Sequence, residues 1–309
     1  MGRRPWPGCD AGEIGTVLRW RPTVRPARVA GNHADGSQHL EELKVTDVFD
    51  PAPAAALLAR TWREGRQISE IPADIRPRNL AEGYALQDAF IKAYAAETGD
   101  REAGWKLGVG SVAAMQAAGT ERPLVGRVLA GHRYDNGATV QVLCQAPITV
   151  EFEIAFVLGR DIAPGAAPSD PMQAVSSTHI AFELVLSRFI NRRAVGWPSF
   201  VGDSVGFEAS ILGPRIDAAA IQRGVATVDV QADGQTRGTA LSGDDAIDPT
   251  QMLRHLFDHA CYHGLTLRTG DVVTTGAVAR PFDIPAGKTE LSARFLGQTL
   301  SAQVVPAQA

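Results

Sequence analysis

The stretch "ITVEFEIAF", residues 148–156, decides the fold class. Its Ile, Val and Phe residues predict a buried strand, yet it also contains two acids. Side chains on a strand alternate between its faces, so Glu151 and Glu153 share one face while Phe152 and Phe156 share the other. Two carboxylates about 7 Å apart on a half-buried face repel each other and lose hydration. A strand with one solvated face would tolerate such a pair, so the pair alone leaves a solvated strand and a binding site both open.

A third acid favours the binding site. The apolar run "HIAFELVLSRF" carries Glu183 at its middle. Burying one unpaired carboxylate costs several kcal/mol, so three acids on neighbouring apolar runs are explained most simply by a shared cation. Carboxylate oxygens are hard ligands that suit Mg²⁺, Mn²⁺ or Ca²⁺, and Mg²⁺ usually keeps positions open for a substrate. The sequence therefore predicts that Glu151, Glu153 and Glu183 bind one hard divalent metal.

A lysine in the glycine-rich segment "GWKLGVGS", residues 104–111, is a candidate for acid–base chemistry. Lys106 lies between Trp105 and Leu107, and its neighbouring glycines would allow the backbone to approach a ligand closely. A surface lysine at a strand edge would fit the same residues. In a semi-apolar pocket its pKa would fall, and it would act as an acid or base or bind an anion.

A competing metal site lies on the predicted helix "PTQMLRHLFDHACYHG". His255, His259 and His263 are spaced four residues apart, and "HLFDH" is similar to the two-histidine spacing of zinc peptidases. That chemistry needs a glutamate where this chain has Asp258, and it needs one more ligand. We therefore expect a solvated or capping row of histidines. Signatures of serine nucleophiles and of nucleotide-binding loops are missing from the sequence.

Bulk properties exclude several classes of function. The 309 residues carry a net charge of −4 with a pI near 6.0, which argues against nucleic-acid binding. No apolar run approaches the roughly 20 residues that span a bilayer, so we expect no membrane partner. The three cysteines form no CxxC pair, a pattern typical of a reducing compartment, and we expect a cytoplasmic protein.

The texture of the chain predicts three parts. Residues 1–40 are rich in Arg, Pro and Gly without apolar periodicity, which predicts a disordered extension. Residues 41–103 contain two helical patterns and form a small helical N-terminal part. Residues 104–305 consist mostly of short β-branched runs separated by turn signals, which predicts a β-rich metal-binding catalytic domain. The fold class expected from these parts is α+β.

Several segments, taken in order, resemble the 2-keto-4-pentenoate hydratase branch of the fumarylacetoacetate hydrolase superfamily over about residues 45–305. They are "AEGYALQDAF", "GWKLGVGS", "VEFEIAFVLGRDI", "AFELVLSRF", "VGDSVGFEASILG" and "LRTGDVVTTGAVARPFDIPAGKT". The resemblance implies a mixed β-roll core and an enzyme that uses Mg²⁺ or Mn²⁺. It also implies a small 2-oxo acid substrate and a homo-oligomer.

The same resemblance assigns roles to individual residues. It implies that the metal ligands are Glu151, Glu153 and Glu183 and that Lys106 and Asp203 are catalytic, with Asp203 orienting or deprotonating water. It further implies that Ser111, Thr275 and Gly276 contact the substrate.

The expected reaction is hydration of a 2-hydroxy-2,4-dienoate to a 4-hydroxy-2-oxo acid in the catabolism of aromatic compounds. This chain departs from the hydratase pattern near the site, with Leu124, Leu186 and Ser204 where an Asp, an Asp and an Asn are frequent. A decarboxylase of oxalocrotonate-like diacids, a C–C hydrolase of acylpyruvates and a non-catalytic binding protein therefore stay as alternatives.

Overall fold

The computed structural model describes residues 48–307. The predicted disordered extension, residues 1–40, lies outside the described residues, as does the start of the predicted helical part. The division of the chain at residues 40 and 103 stays a prediction. No helix within residues 48–307 combines the length and the apolar character needed to cross a membrane.

Two helices precede the sheets: α1 (Ala52–Arg63) and α2 (Leu80–Thr98). Asn79 begins α2 by accepting a 3.0 Å hydrogen bond from the Glu82 amide, a contact worth about 1 kcal/mol. Gly99 ends the helix in the left-handed conformation. The two helices pack through an apolar cluster in which Trp62 lies 5.7 Å from Phe90 between ring centroids.

The larger sheet has eight strands, of which seven follow the order β2-β1-β10-β5-β6-β7-β3 while β11 extends β5. The strands are β1 (Glu102–Gly108), β2 (Leu124–Leu129), β3 (Arg133–Asp135), β5 (Ile148–Leu158), β6 (Val175–Val185), β7 (Phe207–Ile216), β10 (Val272–Ala277) and β11 (Phe282–Ile284). β1 and β10 run parallel, whereas β10, β5, β6 and β7 pair in antiparallel fashion. The sheet is therefore mixed.

A second, five-stranded sheet has the order β4-β13-β12-β8-β9. Its strands are β4 (Thr139–Val142), β8 (Asp229–Ala232), β9 (Gln235–Thr239), β12 (Thr289–Phe295) and β13 (Gln298–Pro306). The aromatic face of β5 joins this sheet to the larger one. Phe152 lies 6.0 Å from Phe182 and 5.7 Å from Phe295 between ring centroids. The core therefore occupies the phenylalanine face of β5, and the glutamates point to the other side.

Four further helices lie around the sheets: α3 (Val112–Ala118), α4 (Gly196–Gly202), α5 (Ile221–Val225) and α6 (Pro249–Tyr262). The predicted helix at "PTQMLRHLFDHACYHG" is confirmed as α6, with Asp248 as its N-cap and Pro249 in its first turn. Mixed sheets surrounded by helices confirm the expected α+β class.

Candidate metal and substrate site

The three glutamates converge because of strand register. Glu151 on β5 lies directly opposite Glu183 on β6, and Glu153 follows two residues later on the same face. One carboxylate oxygen from each residue lies within 4.8 Å of the others. Glu153 and Glu183 are fully buried, and Glu151 is half-buried. Within residues 48–307, these three glutamates form the one group of acids, histidines or cysteines that lie close enough together to share a metal ion.

The neighbouring strand β10 fixes the two buried acids. Thr274 Oγ1 donates a 3.0 Å hydrogen bond to Glu183 Oε2, and the Gly276 amide donates a 2.6 Å hydrogen bond to Glu153 Oε2. The pairing of β10 with β5 is irregular between Thr274 and Ala277, and this irregularity frees the Gly276 amide from the ladder. Gly276 has φ +95°, which favours glycine.

The donor set fits a hard divalent cation. Glu153 Oε1 is shielded from solvent, and it has no hydrogen-bond partner among the residues that the structure describes. Burial, followed by the charges of Glu183 and Glu151, raises the pKa of Glu153 well above its usual value. A buried acceptor without a partner, facing two further carboxylates, is stabilised by a cation with oxygen ligands. Glu151, Glu153 and Glu183 would hold it.

Lys106 belongs to the same site. Its Nζ lies 2.5 Å from Glu183 Oε1 and 3.3 Å from the Val205 carbonyl oxygen, which accepts a hydrogen bond. Burial disfavours the ammonium, but the charges of Glu183, Glu151 and Glu153 outweigh it and raise the pKa of Lys106 above its usual 10.5. The prediction from the sequence that the pKa of Lys106 falls is therefore wrong, since the pocket is acidic as well as apolar.

Missing side chains make room for this lysine. A Cβ at Gly126 would lie 2.9 Å from Cγ and Cδ of Lys106 and 2.6 Å from the Ser204 carbonyl oxygen. A Cβ at Gly108 would lie 3.7 Å from the Lys106 Nζ. Gly126 lies opposite Lys106 in the β1–β2 ladder, so the glycine provides the channel through which the lysine stem reaches Glu183.

Asp203 has a different environment from the one expected. Ser187 Oγ and the Arg188 amide donate hydrogen bonds of 2.7 and 3.0 Å to Oδ2, and the Arg188 side chain forms an ion pair with Oδ1. Both oxygens are thus engaged within the protein, which does not support activation of water by Asp203. Asp203 begins the turn containing Ser204 and Val205, both at positive φ, and Val205 accepts from Lys106. A catalytic role for Asp203 stays a prediction.

The residues predicted to contact the substrate make contacts within the protein. Thr275 is buried, and its hydroxyl donates a 2.8 Å hydrogen bond to the Ile154 carbonyl oxygen, so this side chain bonds within the sheet. Gly276 supports Glu153, as described above. Ser111 is the N-cap of α3, where its hydroxyl accepts from the Ala114 amide at 3.1 Å. A substrate-binding role for these three residues stays a prediction. Thr274, which the sequence did not single out, contacts the site instead.

The histidines of α6 do not form a solvated row. His259 is only 7% exposed, and its ring lies 4.3 Å from His263 and 4.8 Å from Tyr84 between centroids. Burial, with the neighbouring charge of His263, lowers the pKa of His259 well below its usual value. His263 is the C-cap of the helix. The expectation of solvation is wrong for His259, which packs in an aromatic cluster.

A second buried polar cluster was missed from the sequence. Glu208 on β7 accepts a 2.8 Å hydrogen bond from Trp62 Nε1 and lies 3.6 Å from Arg188 Nη1. His132 Nδ1 contacts the Glu208 carbonyl oxygen at 2.8 Å. "GFEASIL" carries a lone acid on an apolar strand, the signal that identified Glu183. That signal therefore detects burial of an acid and does not separate a metal ligand from a structural ion pair.

Glu208 gives a prediction on stability against pH. Burial raises its pKa from 4.5 to about 7, although Arg188 and Trp62 oppose the shift. Between these two values the folded state holds a proton that the unfolded chain has released, so stability falls as the pH rises and then levels off above 7. The glutamine of Glu208→Gln does not titrate, so the variant lacks this loss of stability. Between pH 4.5 and 8, the free energy of unfolding of the variant should therefore rise relative to that of wild type by up to about 3 kcal/mol.

Urea unfolding of both proteins at several pH values measures this difference. Glu290→Gln, which changes an exposed acid on β12, is the control and should follow the wild-type pH profile. Parallel profiles of Glu208→Gln and wild type would contradict the assigned pKa.

Comparison with known proteins identifies the family. Residues 109–299 match the fumarylacetoacetate (FAA) hydrolase C-terminal family. This match spans more than half of the chain, so the protein belongs to that family. The resemblance noted from the sequence is confirmed.

Relatives and solved structures agree with this assignment. The chain is 28% identical over 249 residues to 2-keto-4-pentenoate hydratase 2 of Dechloromonas aromatica (strain RCB), covering 77% of this chain and 91% of the relative. It is 26% identical over 194 residues to 2-hydroxyhexa-2,4-dienoate hydratase of Comamonas testosteroni, covering 62% and 73%. The fold matches 4-oxalocrotonate decarboxylase from Pseudomonas putida G7, complexed with magnesium and adipate, with a TM-score of 0.70 at 20% identity, covering 82% and 98%.

Proposed function

We propose that the protein is a metal-dependent hydro-lyase that adds water to a 2-hydroxy-2,4-dienoate and yields a 4-hydroxy-2-oxo acid. The observation that carries the proposal is the enclosed group of three carboxylates in contact with the Lys106 ammonium. Relatives named as hydratases, matching about three quarters of the chain, favour this reaction over others on the same fold. The reaction would belong to the catabolism of aromatic compounds.

Glu151, Glu153 and Glu183 would hold Mg²⁺ or Mn²⁺. The bound ion would supply Lewis-acid stabilisation for the enolate form of a 2-oxo acid. Three carboxylates alone would repel an anionic substrate, so the divalent ion and the Lys106 ammonium would be needed to offset their charges. The carboxylate and the 2-oxygen of a 2-oxo acid would then lie at this end of the site.

Lys106 would handle the proton. Hydration of a dienol begins with transfer of a proton from the enol oxygen to a carbon of the chain, and water then adds to the remaining conjugated double bond. A buried ammonium 2.5 Å from Glu183 is placed to stabilise negative charge on the substrate and to exchange a proton with it. The Val205 carbonyl oxygen, in the turn that follows Asp203, accepts a hydrogen bond from this ammonium and would help to hold it there.

Decarboxylation of an oxalocrotonate-like diacid is the second candidate, and similarity of fold to a decarboxylase is the observation that favours it. The two reactions share the enolate and differ in the bond that changes: hydration consumes water, whereas decarboxylation releases CO₂. C–C hydrolysis ranks below both, because we find no Glu/His pair in a place that matches the hydrolase branch among residues 48–307. A cytoplasmic location and a homo-oligomeric state stay part of the proposal.

The proposal is tested by turnover of 2-hydroxypenta-2,4-dienoate, followed through the loss of its ultraviolet absorbance. We expect turnover with Mg²⁺ or Mn²⁺, loss of turnover after EDTA, and recovery when the metal is restored. The control is a parallel assay of CO₂ release from 4-oxalocrotonate and of cleavage of an acylpyruvate. CO₂ release without hydration would assign the decarboxylase reaction, and metal-loaded protein that changes none of the three compounds would indicate a non-catalytic binding protein.

A further inference from the structure

A cavity of about 1080 Å³ lies between α3 and the N-terminal half of α6. Val112 and Met115 on α3 form one wall, and Ile247 and Met252, before and within α6, form the opposite wall. Gly110 lies at the point where β1 leads into α3. The four side chains of these two walls are apolar, so this part of the cavity favours a ligand with apolar surface.

The cavity adjoins the acidic site. A Cβ at Gly276, whose amide holds Glu153, would lie 3.4 Å from Ile247 Cδ1 and 3.8 Å from Met252 Cε. A Cβ at Gly110 would meet Met252 as well. Ile247 and Met252 thus touch the cavity on one side and the backbone that carries the acidic site on the other. Because these two side chains border both, they are the point at which the far end of a substrate bound at the glutamates would reach the cavity.

The cavity is larger than a five-carbon acid requires. Pockets of about 300–1,000 Å³ enclose most of the surface of drug-sized ligands. 2-Hydroxypenta-2,4-dienoate ends in a bare vinyl group and would leave most of this volume to water. An apolar wall that remains in contact with water contributes nothing to binding, whereas a larger substituent would bury it.

The charges of the cavity disfavour a second carboxylate. Its lining contains three acids, Glu121, Asp248 and Asp258, against two arginines, Arg122 and Arg254. Arg122 lies 3.9 Å from Asp258, and the Arg254 guanidinium donates to the Ser169 carbonyl oxygen. A carboxylate at the far end of a substrate would meet one more acid than arginine, and both arginines already have partners within the protein.

From the size, the apolar wall and the charge balance, we propose that the substrate carries an uncharged alkyl or aryl group at its far end, larger than a vinyl group. The inference rests on the proposed function and narrows its substrate class. Val112, Met115, Ile247 and Met252 then determine specificity by packing against this group.

A substrate series tests the inference with metal-loaded protein. The series comprises 2-hydroxypenta-2,4-dienoate, its derivatives with a propyl or a phenyl group on the terminal carbon, and 4-oxalocrotonate. We expect kcat/KM to rise at least about 10-fold from the parent to the phenyl derivative, the lower end of what one hydrophobic pocket discriminates. Calorimetric binding of the saturated analogues 2-oxopentanoate and 2-oxo-5-phenylpentanoate, with Mg²⁺ present, should show the same order without turnover.

Variants on α3 connect the preference to the cavity. Val112→Trp fills the cavity from a residue that is already 39% exposed, so the fold should tolerate it. It should lower kcat/KM for the phenyl derivative at least about 10-fold more than it lowers that for the parent dienoate. Gln116→Trp, an exposed residue one turn further along, should act in the same direction. Ala117→Trp places the same side chain on an exposed part of α3 outside the cavity, and it should retain the wild-type preference.

Each result decides one of the two proposals. Equal or better use of the parent dienoate, or preference for 4-oxalocrotonate, overturns the inference while the proposed function stands or changes to decarboxylation. If none of the substrates reacts, the proposed hydratase function fails. The calorimetric comparison then tests whether the cavity binds an apolar distal group. Tighter binding of the phenyl analogue, lost in Val112→Trp, supports the inference, and equal binding of the two analogues overturns it.

Discussion

Replacing Glu153 with glutamine (E153Q) is expected to abolish high-affinity binding of Mg²⁺ or Mn²⁺ and, with it, turnover. Glutamine keeps an oxygen that can accept from the Gly276 amide, so the hydrogen bond that positions the side chain survives. The substitution removes one of the three carboxylates that would bind the ion, and one of the two that are fully buried. Substitution of residues that hydrogen-bond to a metal ligand lowers metal affinity about 10–100-fold. Substitution of a ligand itself should therefore lower the metal affinity more than about 100-fold.

Calorimetric titration with Mn²⁺ and Mg²⁺ measures this loss, and urea unfolding of the metal-free protein separates it from misfolding. Because burial and two neighbouring carboxylates make a charge at Glu153 unfavourable, metal-free E153Q should be at least as stable as metal-free wild type. Glu290→Gln removes a solvent-facing acid from the second sheet and should bind metal as wild type does. Wild-type metal affinity in E153Q would show that Glu153 is not a ligand.

The geometry behind this prediction was largely accessible from the sequence. Strand periodicity placed Glu151 and Glu153 on one face, and it placed the neighbouring phenylalanines in the core. The lone acid on a second apolar run identified Glu183 as buried. The register that sets Glu151 opposite Glu183 was not accessible, because pairing of two strands depends on the whole sheet. The cost of burying three unpaired acids predicted a shared cation, and the resemblance to a family implied the same three ligands.

Other parts of the site depend on contacts between distant segments. The ion pair between Arg188 and Asp203 and the bond from Trp62 to Glu208 join residues whose separation no local pattern encodes. The pKa of Lys106 was predicted in the wrong direction, because its three acidic neighbours come from other strands of the sheet. The cavity beside the site is formed by two helices that approach each other only in the folded protein. Propensity and spacing do not report on such contacts.

Replacing Lys106 with methionine (K106M) is expected to separate chemistry from metal binding. Methionine is unbranched and apolar, so it fits the channel that Gly126 leaves for the lysine stem. It removes the ammonium that lies 2.5 Å from Glu183, and with it the group placed to exchange a proton with the substrate. Loss of general acid–base help lowers rates about 10²–10⁴-fold, and we expect a fall in kcat of that size.

The metal affinity of K106M should not fall as that of E153Q does. An ammonium beside Glu183 repels a second cation, so its removal should leave the affinity for Mn²⁺ unchanged or increase it. Lys92→Met removes an exposed lysine from α2 and should alter neither kcat nor metal affinity. If K106M retained the wild-type kcat, Lys106 would have no part in the reaction. If it lost the metal as E153Q does, the role of Lys106 would be to hold the glutamates in place, because a group that acts only on the substrate leaves the metal bound.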